Sequence, residues 1–188
     1  MVGLLPWYAD KKTVHDHLVK VAAENPGFSY CALITGPFFT WGIQIGFLGY
    51  DLAKKTATIM DGGDLKISYT DIPQIAVGVA RALEKDASGY LHISSLTVSQ
   101  NEILAALEKE IGEKLEVAHK TTEEYHEMSE QMIQSENPGT KMQGLLTRVL
   151  RIVYGEDCKG NWGVGDNAKL GLEELKLEDL VKKAVGKE

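Results

Sequence analysis

Between Tyr30 and Tyr50 the chain reads Tyr-Cys-Ala-Leu-Ile-Thr-Gly-Pro-Phe-Phe-Thr-Trp-Gly-Ile-Gln-Ile-Gly-Phe-Leu-Gly-Tyr, and this stretch narrows the choice of fold more than any other. It opens as a short apolar run with a β-branched residue, the pattern of a buried strand, and it breaks at Gly36-Pro37. Three aromatics follow within four positions, Phe38, Phe39 and Trp41. Glycines at 42, 46 and 49 let the backbone pass close to its neighbours. A buried strand that ends in a turn and delivers aromatics to one spot is how α/β proteins build small-molecule pockets, at the carboxyl ends of their strands. On residue types alone the same aromatics serve equally well as a cap on the core.

The flanking segments alternate in character. Residues 10–24 predict a helix with Val14, Leu18, Val21 and Ala22 on one face, stopped by Asn25-Pro26-Gly27. After a strand over 30–35, Thr40 is placed to cap a short helix carrying Ile43 and Phe47. Strands over 56–60 and 65–69, separated by Asp61-Gly62-Gly63-Asp64, form a hairpin candidate. Thr70 to Pro73 opens a helix whose apolar face is Ile72, Ile75, Val79 and Leu83. A strand follows over 90–94. Ser99–Glu102 and Thr121–Glu124 each match a capping box, the first before Ile103, Leu107 and Ile111, the second before a polar helix to about 134. A short strand is expected over 115–119, a turn at Asn137-Pro138-Gly139, an apolar helix over 141–154 and an amphipathic one near 173–185. Strands alternating with helices make the fold α/β with right-handed crossovers.

Composition excludes some functions. A net charge of −7 argues against nucleic acid or an anionic membrane as a main partner, and no apolar run is long enough to span a bilayer. Two cysteines, Cys31 and Cys158, read as reduced thiols rather than a disulfide framework, and the cytoplasm is the expected location. Gly163-Val-Gly165-Asp-Asn-Ala168 fits the letters of a dinucleotide fingerprint, but it follows no strand directly and only twenty residues remain after it, so it reads as a loop. The five histidines show no metal-ligand spacing, and there is no G-x-S-x-G elbow. Near the start, Tyr8 and Lys12 stand four apart on a helix, where an ammonium beside a phenol can supply acid–base chemistry. Lys11 is the alternative, since a desolvated lysine can be tuned toward neutrality.

Several segments, in order, resemble one family. They are Gly36-Pro-Phe-Phe-Thr-Trp-Gly42, Thr56 to Gly63, Asp71-Ile72, Ser94 to Leu107, the run Ala9-Asp10-Lys11 with its helix and Glu24-Asn-Pro-Gly27, and the ending Gly165-Asp-Asn with Leu170-Gly-Leu172. Together they look like the NmrA-like family, which includes isoflavone reductase-like and fungal aromatic alcohol reductase-like proteins. The resemblance implies an atypical short-chain dehydrogenase, an oxidoreductase using NADP or NAD on a small aromatic substrate. It implies Lys11 as the acid–base catalyst, with Lys12 and Tyr8 as second choice, and a substrate wall of Phe38, Phe39, Trp41 and Phe47. Pro37 would stand against the cofactor.

The family's opening G-x-G-x-x-G strand–turn–helix has no counterpart here. The expectation is therefore a partial Rossmann-like fold lacking its amino-terminal strands, corresponding to the carboxyl-terminal part of a family member. Residues 1–35 and 71–95 would be the remnant of the Rossmann sheet, and 36–70 with 96–188 the substrate region. An open sheet edge would be left for self-association or a partner, and a non-catalytic regulatory or partner-binding module is the alternative to a reductase.

Overall fold

The computed structural model describes residues 5–186. Helix α1 (Pro6–Glu24) leads into β1 (Cys31–Ile34), α2 (Phe39–Gln44), β2 (Tyr50–Asp51), β3 (Thr56–Met60) and β4 (Ile67–Tyr69). Then come α3 (Ile72–Glu84), β5 (Gly89–His92), β6 (Leu96–Val98), α4 (Gln100–Ile111), β7 (Glu116–Lys120), α5 (Thr122–Ile133) and α6 (Pro138–Tyr154). A 3₁₀ turn (Glu156–Cys158), α7 (Asn167–Leu170) and α8 (Leu177–Ala184) complete the order. The fold is α/β. Its strands form three small sheets: β1 parallel to β5, the order β2-β3-β7, and β4 antiparallel to β6.

Two apolar cores follow. The larger gathers Phe39, Ile43, Tyr50, Ile59, Tyr69, Ile103 and Leu107 with Leu180 and Val181 of α8. The smaller lies under the parallel pair and joins Ala82, Leu91, Ile93, Leu170 and Leu172. Both capping boxes close as expected, Ser99 with Glu102 and Thr121 with Glu124. Gln100 then ties α4 to the sheet, accepting from Met60 N–H at 2.8 Å and donating to Thr58 C=O at 3.0 Å.

Several expectations are corrected. The hairpin does not form, because β3 pairs with β2 and β7 while β4 pairs with β6. Asp61, Gly62 and Gly63 all have positive φ, and the turn's polar groups are taken from elsewhere. The Asp61 carboxylate accepts from Thr122 N–H at 3.0 Å, and Asn101 donates to Gly62 C=O at 2.8 Å. Asn137-Pro138-Gly139 is not a free turn: Asn137 caps α6 by accepting from the Gly139 and Thr140 amides. Helix α2 begins at Phe39, so Thr40 lies within it rather than capping it, and Phe47 lies beyond its end. The terminal helix is shorter than expected, starting at Leu177.

The largest correction concerns α3. Its buried residues are Gln74, Gly78 and Ala82, while Ile72, Val79 and Leu83 are exposed, Leu83 by 75%. Small residues face the sheet because the helix sits close: a Cβ on Gly78 would meet Ile93 at 3.2 Å and Leu33 at 3.4 Å. The apolar stripe read as the inner face is the outer one. Helix α1 is likewise exposed along most of its length, and all four residues of β1 are only half-buried.

The larger core also holds three phenols. Tyr50 donates to Gln100 C=O at 2.7 Å and Tyr154 to Leu48 C=O at 2.8 Å, and Tyr69 packs edge-on against Phe39. Burial pushes the pKa of Tyr50, Tyr69 and Tyr154 well above the usual value near 10. Their raised folded pKa values mean that stability is fully present below about pH 10 and is lost as pH rises past it, when the unfolded chain ionises first. Urea midpoints measured from pH 8 upward should fall above pH ~10, by up to about 1.4 kcal/mol per pH unit for each phenol. Tyr69→Phe should flatten that slope.

Candidate substrate face at the carboxyl end of the parallel strands

Beyond β1 the chain turns at Gly36, whose φ of +61° and whose close approach to the Ser68 carbonyl and the Trp162 ring leave no room for a side chain. The next residues are stitched to the segment after β4. Thr70 N–H donates to Pro37 C=O and Phe39 N–H to Thr70 C=O, both at 3.1 Å. The Thr70 hydroxyl shares its one hydrogen between the carbonyls of Thr35 (2.6 Å) and Ile93 (3.0 Å), tying the ends of both parallel strands together.

This stitching divides the aromatics into two groups. Phe38 and Trp41 are 38% and 45% exposed and meet edge-on with ring centroids 6.2 Å apart. Trp41 continues to Phe47 at 6.4 Å, so the three make one surface cluster. Phe39 points the other way. It is 0% exposed and packs against Tyr69 at 5.7 Å, which makes it core rather than wall. Phe38 is the extended residue before α2 and Phe39 the first residue of the helix, and the change of backbone conformation between them sends one ring outward and the other into the core. Pro37 is half-buried between the strand end and the cluster.

The underside of the face is held by charge. Asp71 is 2% exposed, and Lys183 of α8 donates to its Oδ2 at 2.7 Å. The Asp71 amide donates to Ser95 Oγ at 2.8 Å, Ser95 donates to the Gln74 side chain, and Gln74 donates to Glu173 C=O at 2.6 Å. Trp162 donates from Nε1 to Ile93 C=O at 3.3 Å and lies 5.3 Å from the exposed His92 ring. Sequence reasoning missed Trp162, Ser95 and Lys183. The only available signal was a tryptophan inside a glycine-rich tail.

The Gly163–Ala168 segment is a clasp and not a phosphate cradle. Gly163 C=O accepts from Ser94 Oγ at 2.6 Å, and Asn167 accepts from Ser94 N–H (3.1 Å) while donating to Ser94 C=O (2.7 Å). Its groups are spent on Ser94, just beyond β5, and on the His92 amide at the end of that strand.

Lys11 and Lys12 are both exposed on α1. The partner expected for Lys12 belongs to Lys11, whose Nζ stands 5.6 Å from the Tyr8 ring centroid. Lys12 pairs with Asp16, and the Lys12 ammonium holds that carboxyl below its usual range, helped by His15. Among the described residues no hydrogen bond, ion pair or ring contact joins Lys11 to Phe38, Trp41 or Phe47. The contact of α1 with the parallel pair is His15 against Tyr90, ring centroids 5.2 Å apart. Also among the described residues, no group of three or more His, Cys, Asp or Glu is arranged to hold a metal ion, and no helix is long and apolar enough to cross a membrane.

No family model matches the chain. By sequence it is similar to oxidoreductase aprR of Aspergillus flavus, 35% identical over 120 residues that make up 62% of this chain and 39% of that protein. By structure it is similar to an isoflavone reductase, with a TM-score of 0.65 at 17% identity over 95% of this chain and 58% of that one. It is also similar to AtPrR2 with NADP+ and (+)pinoresinol, with a TM-score of 0.68 at 17% identity over 93% of this chain and 56% of that one. The chain thus spans well under two thirds of the length of each of these proteins. Likeness at these identities establishes the fold alone: an α/β, Rossmann-like architecture of which this chain forms part.

A dinucleotide finds only a partial fit among the described residues. A phosphate cradle needs a glycine turn between a strand and a helix N-terminus. Gly36 is already filled against Ser68 and Trp162, and Gly163 and Gly165 are locked onto β5. Among the described residues, then, the phosphates of NADP find no such cradle.

Proposed function

We propose that this chain carries the substrate-facing part of a cytoplasmic NmrA-like, isoflavone reductase-like oxidoreductase, which uses NADP or NAD to reduce a small aromatic compound. The observation that carries the reading is the pair of exposed rings Phe38 and Trp41 beyond the carboxyl end of β1, backed by the half-buried Phe47. Offset and edge-on rings of this kind bind planar apolar ligands and lose little entropy in doing so. The oxidoreductase relative and the reductase-like fold support it.

Lys11 is the acid–base group in this reading. It lies one helical turn before His15, the residue that touches the parallel pair, and on the same side of α1. The Tyr8 ring beneath its ammonium gives it an aromatic neighbour in the first turns of the helix. Lys12, neutralised by Asp16, is the weaker choice.

The test is a pair of titrations. An aromatic alcohol should quench Trp41 fluorescence saturably. NADPH added to the chain alone should show no saturable binding below about 1 mM, where binding is worth only about 4 kcal/mol. Lys11→Ala should leave aromatic binding unchanged within about twofold, since an exposed group acting on a proton contributes to rate rather than to ground-state binding. Absence of aromatic binding would overturn the substrate reading. Tight NADPH binding would overturn the reading that the described residues offer the cofactor's phosphates no cradle.

A second reading, a non-catalytic partner-binding module, is favoured by the outward stripe of Ile72, Val79 and Leu83 on α3 and by the half-buried β1. An uncharged strand edge and an apolar helix face invite pairing. Light scattering on the eluting chain separates the two readings, a clean monomer arguing against the module.

A further inference from the structure

We infer that α8 sets the order of the aromatic face through one residue, Lys183, with Asp71 as its counterpart. Helix α2 carries Trp41 and has only six residues, too few to persist without tertiary support. That support comes at both ends. At its start, Thr40 N–H donates to Asp71 Oδ1 over a long 3.4 Å, and Lys183 Nζ donates to Asp71 Oδ2 at 2.7 Å. At its end, the Gln44 side-chain amide donates to Lys183 C=O, also at 3.4 Å. Lys183 therefore touches, directly or through one carboxylate, the first and the last turn of α2.

The Asp71 carboxylate is almost fully buried while Lys183 is partly exposed. Removing the ammonium leaves a buried charge with only the weak Thr40 amide and its own helix start, and such a charge is poorly tolerated. The rest of α8 is committed to the core through Leu180, Val181 and Ala184, so it can act as an anchor. Asp71 and Lys183 are positioning residues. Among the described residues no hydrogen bond, ion pair or ring contact joins either of them to the aromatic cluster, and they act through α2. The inference depends on the proposed function only for what the face binds.

Hydrogen exchange read by mass spectrometry tests this without a ligand. In Lys183→Met, amides of residues 39–45 should exchange about tenfold faster, while those of α5 keep the wild-type rate, as expected when one local unit opens. Lys183→Arg should restore protection, and Asp71→Asn, which removes the buried charge along with the ion pair, should loosen α2 less than the Met variant does. Unchanged exchange in α2 would overturn the inference, and so would an equal rise across α2, α5 and β3, which would mark a loss of global stability. If α2 loosens and aromatic quenching of Trp41 keeps its wild-type midpoint, the clamp stands and the substrate reading of the face fails.

Discussion

Phe39→Ala should cost this chain about 3–5 kcal/mol, whereas Trp41→Ala, two residues on, should leave stability within about 1 kcal/mol. Both side chains are large aromatics in the same short segment, and only their surroundings differ. Phe39 is fully buried against Tyr69, so its removal opens a cavity in the larger core. Trp41 is nearly half exposed, meets Phe38 edge-on and lies at a tilt to Phe47. For a chain of this length, 3–5 kcal/mol lowers Tm by roughly 6–20 °C, easily read by differential scanning calorimetry. The binding result should run the other way, with Trp41→Ala weakening an aromatic ligand by about tenfold or more. A similar loss of Tm in both variants would mean that the two rings do the same work, and the division of the cluster into wall and core would be wrong.

The second large effect is expected at Gly165. Its φ is +54°, and a Cβ there would collide with the His92 carbonyl and sit 2.9 Å from Trp162. Gly163 has a similar φ of +59°, yet a Cβ there meets nothing within 4 Å. Gly163→Ala should therefore cost only the backbone strain, about 1 kcal/mol, while Gly165→Ala adds a clash that backbone cannot relieve, about 3 kcal/mol or more in all. The clash would lift the tail from β5, where Asp166 accepts from the His92 amide at 2.8 Å and Asn167 pairs twice with Ser94. Urea denaturation of the two variants side by side measures the difference. Equal costs would show that the tail does not depend on close approach at Gly165.

These two expectations also show how far the sequence could be read. Both capping boxes were legible because a cap is local: Ser99 and Glu102 find each other within one turn whatever surrounds them. The strands over 31–34 and 89–92 were legible because apolar β-rich runs between glycine and proline punctuation have few other uses. The loop reading of Gly163–Ala168 is right only as far as Asp166, since Asn167 and Ala168 open α7, but the segment follows no strand directly, as the sequence order already showed. What failed was everything decided by a distant partner. Asp61-Gly62-Gly63-Asp64 has hairpin chemistry, but Thr122 and Asn101, about sixty and forty residues away, claim its polar groups.

Helix α3 gives the sharpest case. Its sequence is strongly amphipathic, and the natural inference turns Ile72, Val79 and Leu83 inward. The sheet instead takes Gly78 and Ala82, because close packing of a helix on a sheet rewards small side chains at the contact as much as large ones around it.

By itself, then, the sequence determined the alternation of strands and helices, the two capping boxes, the strand segments that became β1 and β5, and the aromatic-rich turn after β1, since each depends on residues within a turn or two of one another; that β1 and β5 pair, 58 positions apart, was left to the tertiary structure. The tertiary structure alone decided which aromatics face outward, which lysine meets Tyr8, and that Asp71 is bound to Lys183 across 112 positions. Side-chain direction at such points is set by which distant surface arrives to bury one face, and a pattern of residue types carries no record of that arrival.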